Sequence, residues 1–365
     1  MHILWITGRR IESDLAGTTE LGLANGLAKH GNKIHLISPD SKKNDSFWKH
    51  TLLKRIDIKG LETWSGGRDA KRIIQSQRRI LSQIDMMLVD WRFINSLAPV
   101  LKAVKIPWCI IDRGPPAYRG LLSKIQKISW KRAWKFASKN AKGGIVVSPG
   151  HKKYIESKVG IKMDLIVVPA GTNTGYFSKN KKIPEEKLNF VYAGRVDKNR
   201  GIDEMIRLLD DSKKLSIRSK LTVIGAGDYV REFKKLSIYR DDLEVLGKIP
   251  REEVWNILEK SHVGIMPMPD MPIWRIASPI KLAEYAAAGL LVIGPEHRGN
   301  KLNEGRWSIL SDESPWSMRC LERLEGILES GEWGEISDVA RVDSLQLDWN
   351  NISSRLEEKL IYWIG

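Results

Sequence analysis

Two arginines flank a short turn in Gly194-Arg195-Val196-Asp197-Lys198-Asn199-Arg200-Gly201, directly after the strand-like run Phe190-Val191-Tyr192-Ala193. A glycine at a strand end lets backbone approach a ligand closely, and guanidinium groups fork onto phosphate oxygens. A helix beginning near Ile202 or Asp203 would add the positive end of its dipole. The competing reading is a solvated basic turn. A second stretch with chemistry in it is Ser278-Pro279-Ile280-Lys281-Leu282-Ala283-Glu284-Tyr285-Ala286-Ala287-Ala288-Gly289. Ser278 suits an N-cap, Pro279 the first helical position and Gly289 a left-handed stop. Ile280, Leu282, Ala283, Ala286 and Ala287 should bury this helix, while Lys281 and Glu284, three apart, share one face. Apolar runs at 263–267 and 290–294 flank it, which makes a βαβ unit. Ligands of such units bind beyond the strand ends, against helix N-termini. An ordinary surface glutamate is the alternative.

Other constellations are less pointed. Ile224-Gly225-Ala226-Gly227-Asp228 invites a dinucleotide reading, but the third glycine of that fingerprint would fall on Val230. It reads instead as a tight strand-to-helix turn lining a pocket. Trp108-Cys109-Ile110-Ile111-Asp112-Arg113-Gly114-Pro115-Pro116 ends a buried strand in a carboxylate and a guanidinium, where α/β sheets place sites. A local pair holding a proline-rich turn fits equally well. Residues 121–142 carry Trp130, Lys131, Arg132, Trp134, Lys135, Phe136, Lys139 and Lys142. This is either a basic aromatic helix lying on an acidic membrane surface or an amphipathic helix with its aromatics in the core. The segment around Lys42-Lys43, Trp48-Lys49-His50 and Lys54-Arg55 would add to such a face. The histidines show no HExxH spacing and no GxSxG occurs, so metal hydrolysis and serine chemistry have no support.

The elements that must position these residues alternate. Residues 2–7 form a strand, a helix starts near Thr18 or Thr19 and stops at Gly31, and residues 33–38 form the next strand. Strands are expected at 85–90, 108–112, 143–148 and 164–169. Around 172–187 the chain turns polar and reads as a linker. Alternation then restarts with strands at 188–193, 220–224, 243–246 and 263–267, and helices at 203–209 and 251–260. The expectation is α/β with two Rossmann-like doubly wound domains. We place these at 1–172 and 173–346, followed by a last helix at 347–365.

Composition bounds the partners. The chain has 365 residues, of which 42% are apolar and 28% charged, a globular profile. Lysine plus arginine exceed aspartate plus glutamate by sixteen, which favours an anionic partner, and fourteen tryptophans alongside that charge suit an interfacial protein. No uncharged apolar run is long enough to span a bilayer. The opening residues read as a first strand rather than a secretory leader, so a cytoplasmic setting is expected. Cys109 and Cys320 lie far apart, and neither a metal site nor a disulfide framework is expected.

Taken in order, these pieces resemble the retaining GT-B glycosyltransferases of the glycosyl transferases group 1 type. Ala16-Gly17-Thr18 with Leu23 through Asn32 resembles the Gly-rich loop and first helix. Ile145 through Ser148, and Val167 through Phe177, resemble the approach to the domain junction. Tyr192-Ala193-Gly194-Arg195 with Arg200-Gly201 resembles the phosphate-binding signature, with Arg200 where lysine is usual. Leu246-Gly247-Lys248-Ile249-Pro250 resembles the loop near the nucleotide base, and Ser278 through Gly289 the donor-site helix. Asp348-Trp349 resembles the start of the segment crossing back to the first domain.

The resemblance implies two domains facing across a cleft, with the C-terminal helix packing back on the first. It also implies transfer of a sugar from a nucleotide-diphosphate donor to a glycan or lipid-linked acceptor, with retention and without a metal. Arg195 and Arg200 would stabilise the departing diphosphate, and Asp112 would position or deprotonate the acceptor. Gly17, Arg113, Gly194, Gly225, Gly227, Ile249, Ser278, Lys281 and Glu284 would line the substrates. Partners are then the nucleotide sugar and the acceptor, to which the basic Trp-rich segments add an anionic membrane surface. Two departures stand out: the first glutamate of the family's spaced pair falls on Ile276, and Asp112 occupies the place of an acceptor-side histidine. Enzyme alternatives are a GT-B phosphorylase or a sugar-nucleotide epimerase. A basic nucleic-acid-binding protein is the non-enzymatic one, although no recognised nucleic-acid module is present.

Overall fold

Short runs of branched and aromatic residues between turn signals form thirteen strands among the described residues of a computed structural model. It describes all residues except 12–14, 41–46, 59, 117–119, 179–182 and 303–304, and the side chains of 15, 16, 78 and 121. The first seven strands are β1 (His2–Ile6), β2 (Lys33–Ser38), β3 (Lys49–Leu52), β4 (Met86–Asp90), β5 (Trp108–Ile111), β6 (Gly143–Val146) and β7 (Leu165–Val167). They make one parallel sheet in the order β3-β2-β1-β4-β5-β6-β7. A second parallel sheet holds β8 (Leu188–Ala193), β9 (Ser219–Ile224), β10 (Leu243–Gly247), β11 (Val263–Ile265), β12 (Leu291–Pro295) and β13 (Ser308–Ser311). Its order is β10-β9-β8-β11-β12-β13. Each order reverses once, between β1 and β4 and between β8 and β11, and doubly wound sheets open their ligand crevice at such a point.

The helices used below are α1 (Leu15–Lys29), α2 (Glu62–Ser76), α3 (Trp91–Ala103), α4 (Leu121–Asn140), α5 (Pro149–Ile155), α6 (Asp203–Lys214), α7 (Arg251–Glu259), α8 (Ile280–Ala287), α9 (Trp333–Ser344) and α10 (Trp349–Ile364). The chain divides into two compact units, Met1–Pro169 together with Trp349–Gly365, and Ala170–Asp348. Each sheet has its own apolar core.

Small residues let α10 seat against α1. A Cβ on Gly22 would lie 2.4 Å from Cε2 of Trp349, and one on Gly26 would lie 2.0 Å from Oγ of Ser353. Polar contacts fasten the two. His30 Nδ1 meets Glu357 Oε2 at 2.9 Å, and Asn32 Nδ2 donates to Glu357 Oε1 at 2.6 Å. Farther along, the Trp363 indole donates to Asp164 at 2.8 Å.

Several expectations are corrected. Helix α1 begins at Leu15 rather than near Thr18, and β3 and β13 have no counterpart among the expected strands. The tryptophans serve the interior more than an interface. Trp5, Trp130, Trp134, Trp307 and Trp333 are nearly fully enclosed. The membrane reading of residues 121–142 therefore fails in its aromatic part, because Trp130 and Trp134 turn inward. Lys42 and Lys43 lie outside the described residues.

Candidate active site

The second unit gathers its chemistry beside β8, at the strand reversal. Three strand ends are laced by backbone: Gly194 N–H donates to Ile224 O, Val196 N–H to Ala226 O and Gly225 N–H to Gly247 O, all within 3.0 Å. Glycine is required where they meet. Gly225 has φ +139, and a Cβ there would sit 1.7 Å from the Gly194 carbonyl oxygen. A Cβ on Gly227 would lie 2.2 Å from Val196 O. The Gly225-Ala226-Gly227 turn thus buttresses the Gly194 loop. Ile249 is half-buried and packs on the second unit's core.

The loop carries an arginine pair organised by a residue the sequence reading passed over. Asp197 accepts two hydrogen bonds from Arg195, Nε to Oδ2 at 2.7 Å and Nη2 to Oδ1 at 2.8 Å. Arg200 Nε stands 3.4 Å from the same Oδ2, and its guanidinium lies 4.8 Å from the centre of the Trp274 ring. The hydrogen bonds from Arg195 hold the Asp197 carboxyl below its usual range. Arg195 is about half exposed. The Arg-x-Asp spacing was the available signal, since a carboxylate two residues on can grip a guanidinium bidentately.

Lys281 lies beneath this loop. A Cβ on Gly194 would meet its Nζ at 2.8 Å. The amine sits 3.9 Å from the centre of the Tyr192 ring and donates to the Met268 sulfur at 3.9 Å. Burial drives its pKa well below the ordinary lysine value, the Arg200 charge lowers it further, and Glu284 partly restores it. Among the described residues no carboxylate forms an ion pair with Lys281.

Glu284, one helical turn on, is buried too, and its Oε1 accepts from Arg251 Nη2 at 2.7 Å and from the Trp255 indole at 3.3 Å. Both donors come from α7. The capping of α8 differs from expectation. Pro279 is the N-cap residue, and Ser278 Oγ instead accepts the Ala170 amide at 2.9 Å. Gly289 closes the helix in the left-handed region at φ +71, as the sequence suggested.

The first unit's expected groups are placed otherwise. Gly17 is buried in α1, where a Cβ would lie 2.2 Å from Arg10 O, so the residue allows a tight backbone crossing. Asp112 has no solvent exposure. Its Oδ2 accepts the indole N–H groups of Trp130 at 2.7 Å and Trp134 at 2.9 Å, and its Oδ1 accepts the Gly114 amide at 3.0 Å. The fully buried His151, on α5, places Nε2 3.7 Å from that Oδ2, and burial lowers its pKa. Asp112 therefore ties α4 to the end of β5, and the expectation of an acceptor-facing base gives way to a structural one. Arg113 donates from Nη1 to Val168 O at 2.7 Å, and burial brings its pKa down to about 10.

Taken together, the second unit gathers groups suited to an anion. It has closely packed glycine backbone, two arginines beside one aspartate, and a buried amine that forms no ion pair among the described residues. The fold itself is that of GT-B glycosyltransferases. Sucrose-phosphate synthase from Thermosynechococcus elongatus superposes with a TM-score of 0.75 at 13% identity, covering 99% of this chain and 98% of that one. A glycosyltransferase from Rickettsia africae gives 0.73 at 15%, covering 100% and 98%. HepE from Anabaena, solved with UDP and glucose, gives 0.70 at 13%, covering 98% and 99%. At these identities the likeness is one of fold. The class follows from sequence: residues 176–302 match the model of the family described as glycosyl transferases group 1. The second unit thus carries a group 1 glycosyl transferase domain, and the chain is a glycosyltransferase. A search of curated protein sequences finds no match.

Proposed function

We propose that the chain moves a sugar from a nucleoside-diphosphate donor to a hydroxyl of a glycan or lipid-linked acceptor, with retention at the anomeric carbon and without a metal. The observation that carries this reading is Lys281, a buried amine under Gly194 that forms no ion pair among the described residues. An isolated buried cation is costly unless an anion completes the site. A donor diphosphate over the Gly194 loop would supply that anion, with Arg195 and Arg200 at its rim.

In the transfer step the bond from the anomeric carbon to the diphosphate oxygen breaks, and a bond from that carbon to the acceptor oxygen forms on the same face. The acceptor proton passes to the departing diphosphate. Negative charge grows on the leaving group, so cations fixed around it favour the transition state over the bound donor. Lys281, Arg195 and Arg200 supply that charge, and no metal is called on. Glu284, with Oε1 taken by Arg251 and Trp255, is assigned to the donor ribose through Oε2. Ile276 offers no hydrogen bond to the sugar where a glutamate is usual, which points to a donor held less by its hydroxyls. The unpaired, buried thiols of Cys109 and Cys320 support a cytoplasmic setting.

A thermal-shift screen against UDP-, GDP- and ADP-sugars tests the assignment, repeated with Lys281→Met, Arg195→Ala and Glu284→Ala. One donor class should raise the melting temperature of the wild type and do so far less in the variants. Equal shifts in all four proteins would remove the proposed site.

A further inference from the structure

We infer that the first unit docks on an anionic lipid surface through the outer end of α4 and the adjoining residues Ile56, Ile58, Leu61 and Trp64. Along α4 the core begins at Trp130. None of the described side chains from 122 to 129 is buried. Leu122, Ile125 and Ile128 project there, with Ile125 58% and Ile128 54% exposed. The neighbouring segment adds Ile58 and Trp64, exposed by 58% and 52%. The two surfaces adjoin, since a Cβ on Gly60 would touch Leu122 Cδ2 at 3.5 Å.

Single exposed apolar residues need no explanation, but a contiguous group framed by charge does. Helix α4 contains Lys124, Lys127, Lys131, Arg132, Lys135 and Lys139 and no aspartate or glutamate. Lys124, Lys127 and Lys131 make no ion pair among the described residues, and Arg68 lies over the Trp64 ring at 4.8 Å. Apolar residues flanked by unpaired lysines fit the boundary between lipid headgroups and acyl chains. A second copy of this chain fits poorly, because a two-fold contact would set these cations against one another. Among the described residues no helix is long and apolar enough to cross a membrane, so the contact is one of surface. Its link to catalysis rests on the transfer reading above, and would hold the enzyme where a lipid-linked acceptor lies. The surface stands on its own observations.

The test is co-sedimentation of the full chain with vesicles of phosphatidylcholine alone or mixed with phosphatidylglycerol. Wild type, Lys124→Ser/Lys127→Ser/Lys131→Ser and Ile125→Ser/Ile128→Ser are compared, with donor thermal shifts measured in parallel. Wild type should favour the anionic vesicles. The lysine variant should bind them roughly a hundredfold more weakly, and the isoleucine variant about tenfold or more weakly, with circular dichroism and donor shift unchanged. Binding indifferent to phosphatidylglycerol, or variants that bind like wild type, would overturn the inference. So would a wild-type self-association that the variants abolish without any vesicle binding. Donor shifts without vesicle binding would sink the surface alone. Vesicle binding without any donor shift would uphold the surface and sink the transfer reading.

Discussion

Lys281 makes opposite demands on the free and the bound protein, and pH separates them. Its amine titrates lower folded than unfolded. Between that lowered value and the ordinary 10.5, the unfolded chain holds more protons, so stability of the free protein rises with pH across the window. Donor binding needs the ammonium form and should weaken across the same window. Calorimetric titration of the donor found by screening, run over a pH series, should show this fall. Lys281→Met should flatten it and cost about tenfold or more in affinity, the worth of a charged hydrogen bond. Because the variant removes an uncompensated buried amine, its donor-free melting temperature should not drop. Asp112 poses the reverse case. Two indoles and an amide depend on its carboxylate, so Asp112→Asn should cost about 2–3 kcal/mol in chemical denaturation. The transfer rate per folded molecule should change little. A loss of ~100-fold or more at unchanged stability would restore the proton-transfer role.

At the scale of elements, function depends on the packing of backbone at strand ends. Gly225→Ala drives a methyl into the Gly194 carbonyl. It should displace the loop bearing Arg195 and abolish the donor-induced thermal shift, while far-ultraviolet circular dichroism stays near native. Alternating apolar runs and glycine stops made most of this architecture legible, including β8 with its glycine and the helix ending at Gly289. The short strand β3 escaped because Lys49-His50-Thr51-Leu52 is polar and half exposed. Site partners were harder still. Arg195 and Arg200 are readable as cations, but which carboxylate holds them depends on the turn between. The pairing of Glu284 with Arg251 and Trp255 spans roughly thirty residues of chain. Asp112 misled for a related reason. A carboxylate at a strand end looks reactive until the indoles of the next helix, 18 and 22 residues on, are seen to enclose it.

At the scale of the molecule, each unit has its own sheet and core, but only the second is continuous in sequence. A fragment of residues 170–348 should fold alone, with a sharp thermal transition. Residues 1–169 alone should not, because α1 would present Gly22, Gly26 and its polar partners without α10. Adding a peptide of residues 349–365 should recover cooperative unfolding. If the first fragment already unfolds sharply without the peptide, α10 is dispensable to that core.

That discontinuity bears on synthesis. On the ribosome, the second unit emerges whole while the first is still unfinished, its seven strands made but α1 uncovered. The last helix arrives only after about 180 further residues have been translated. Until then the residues of α1 that receive α10 stay uncovered in the nascent first half, and its cooperative folding waits for the last helix to be made.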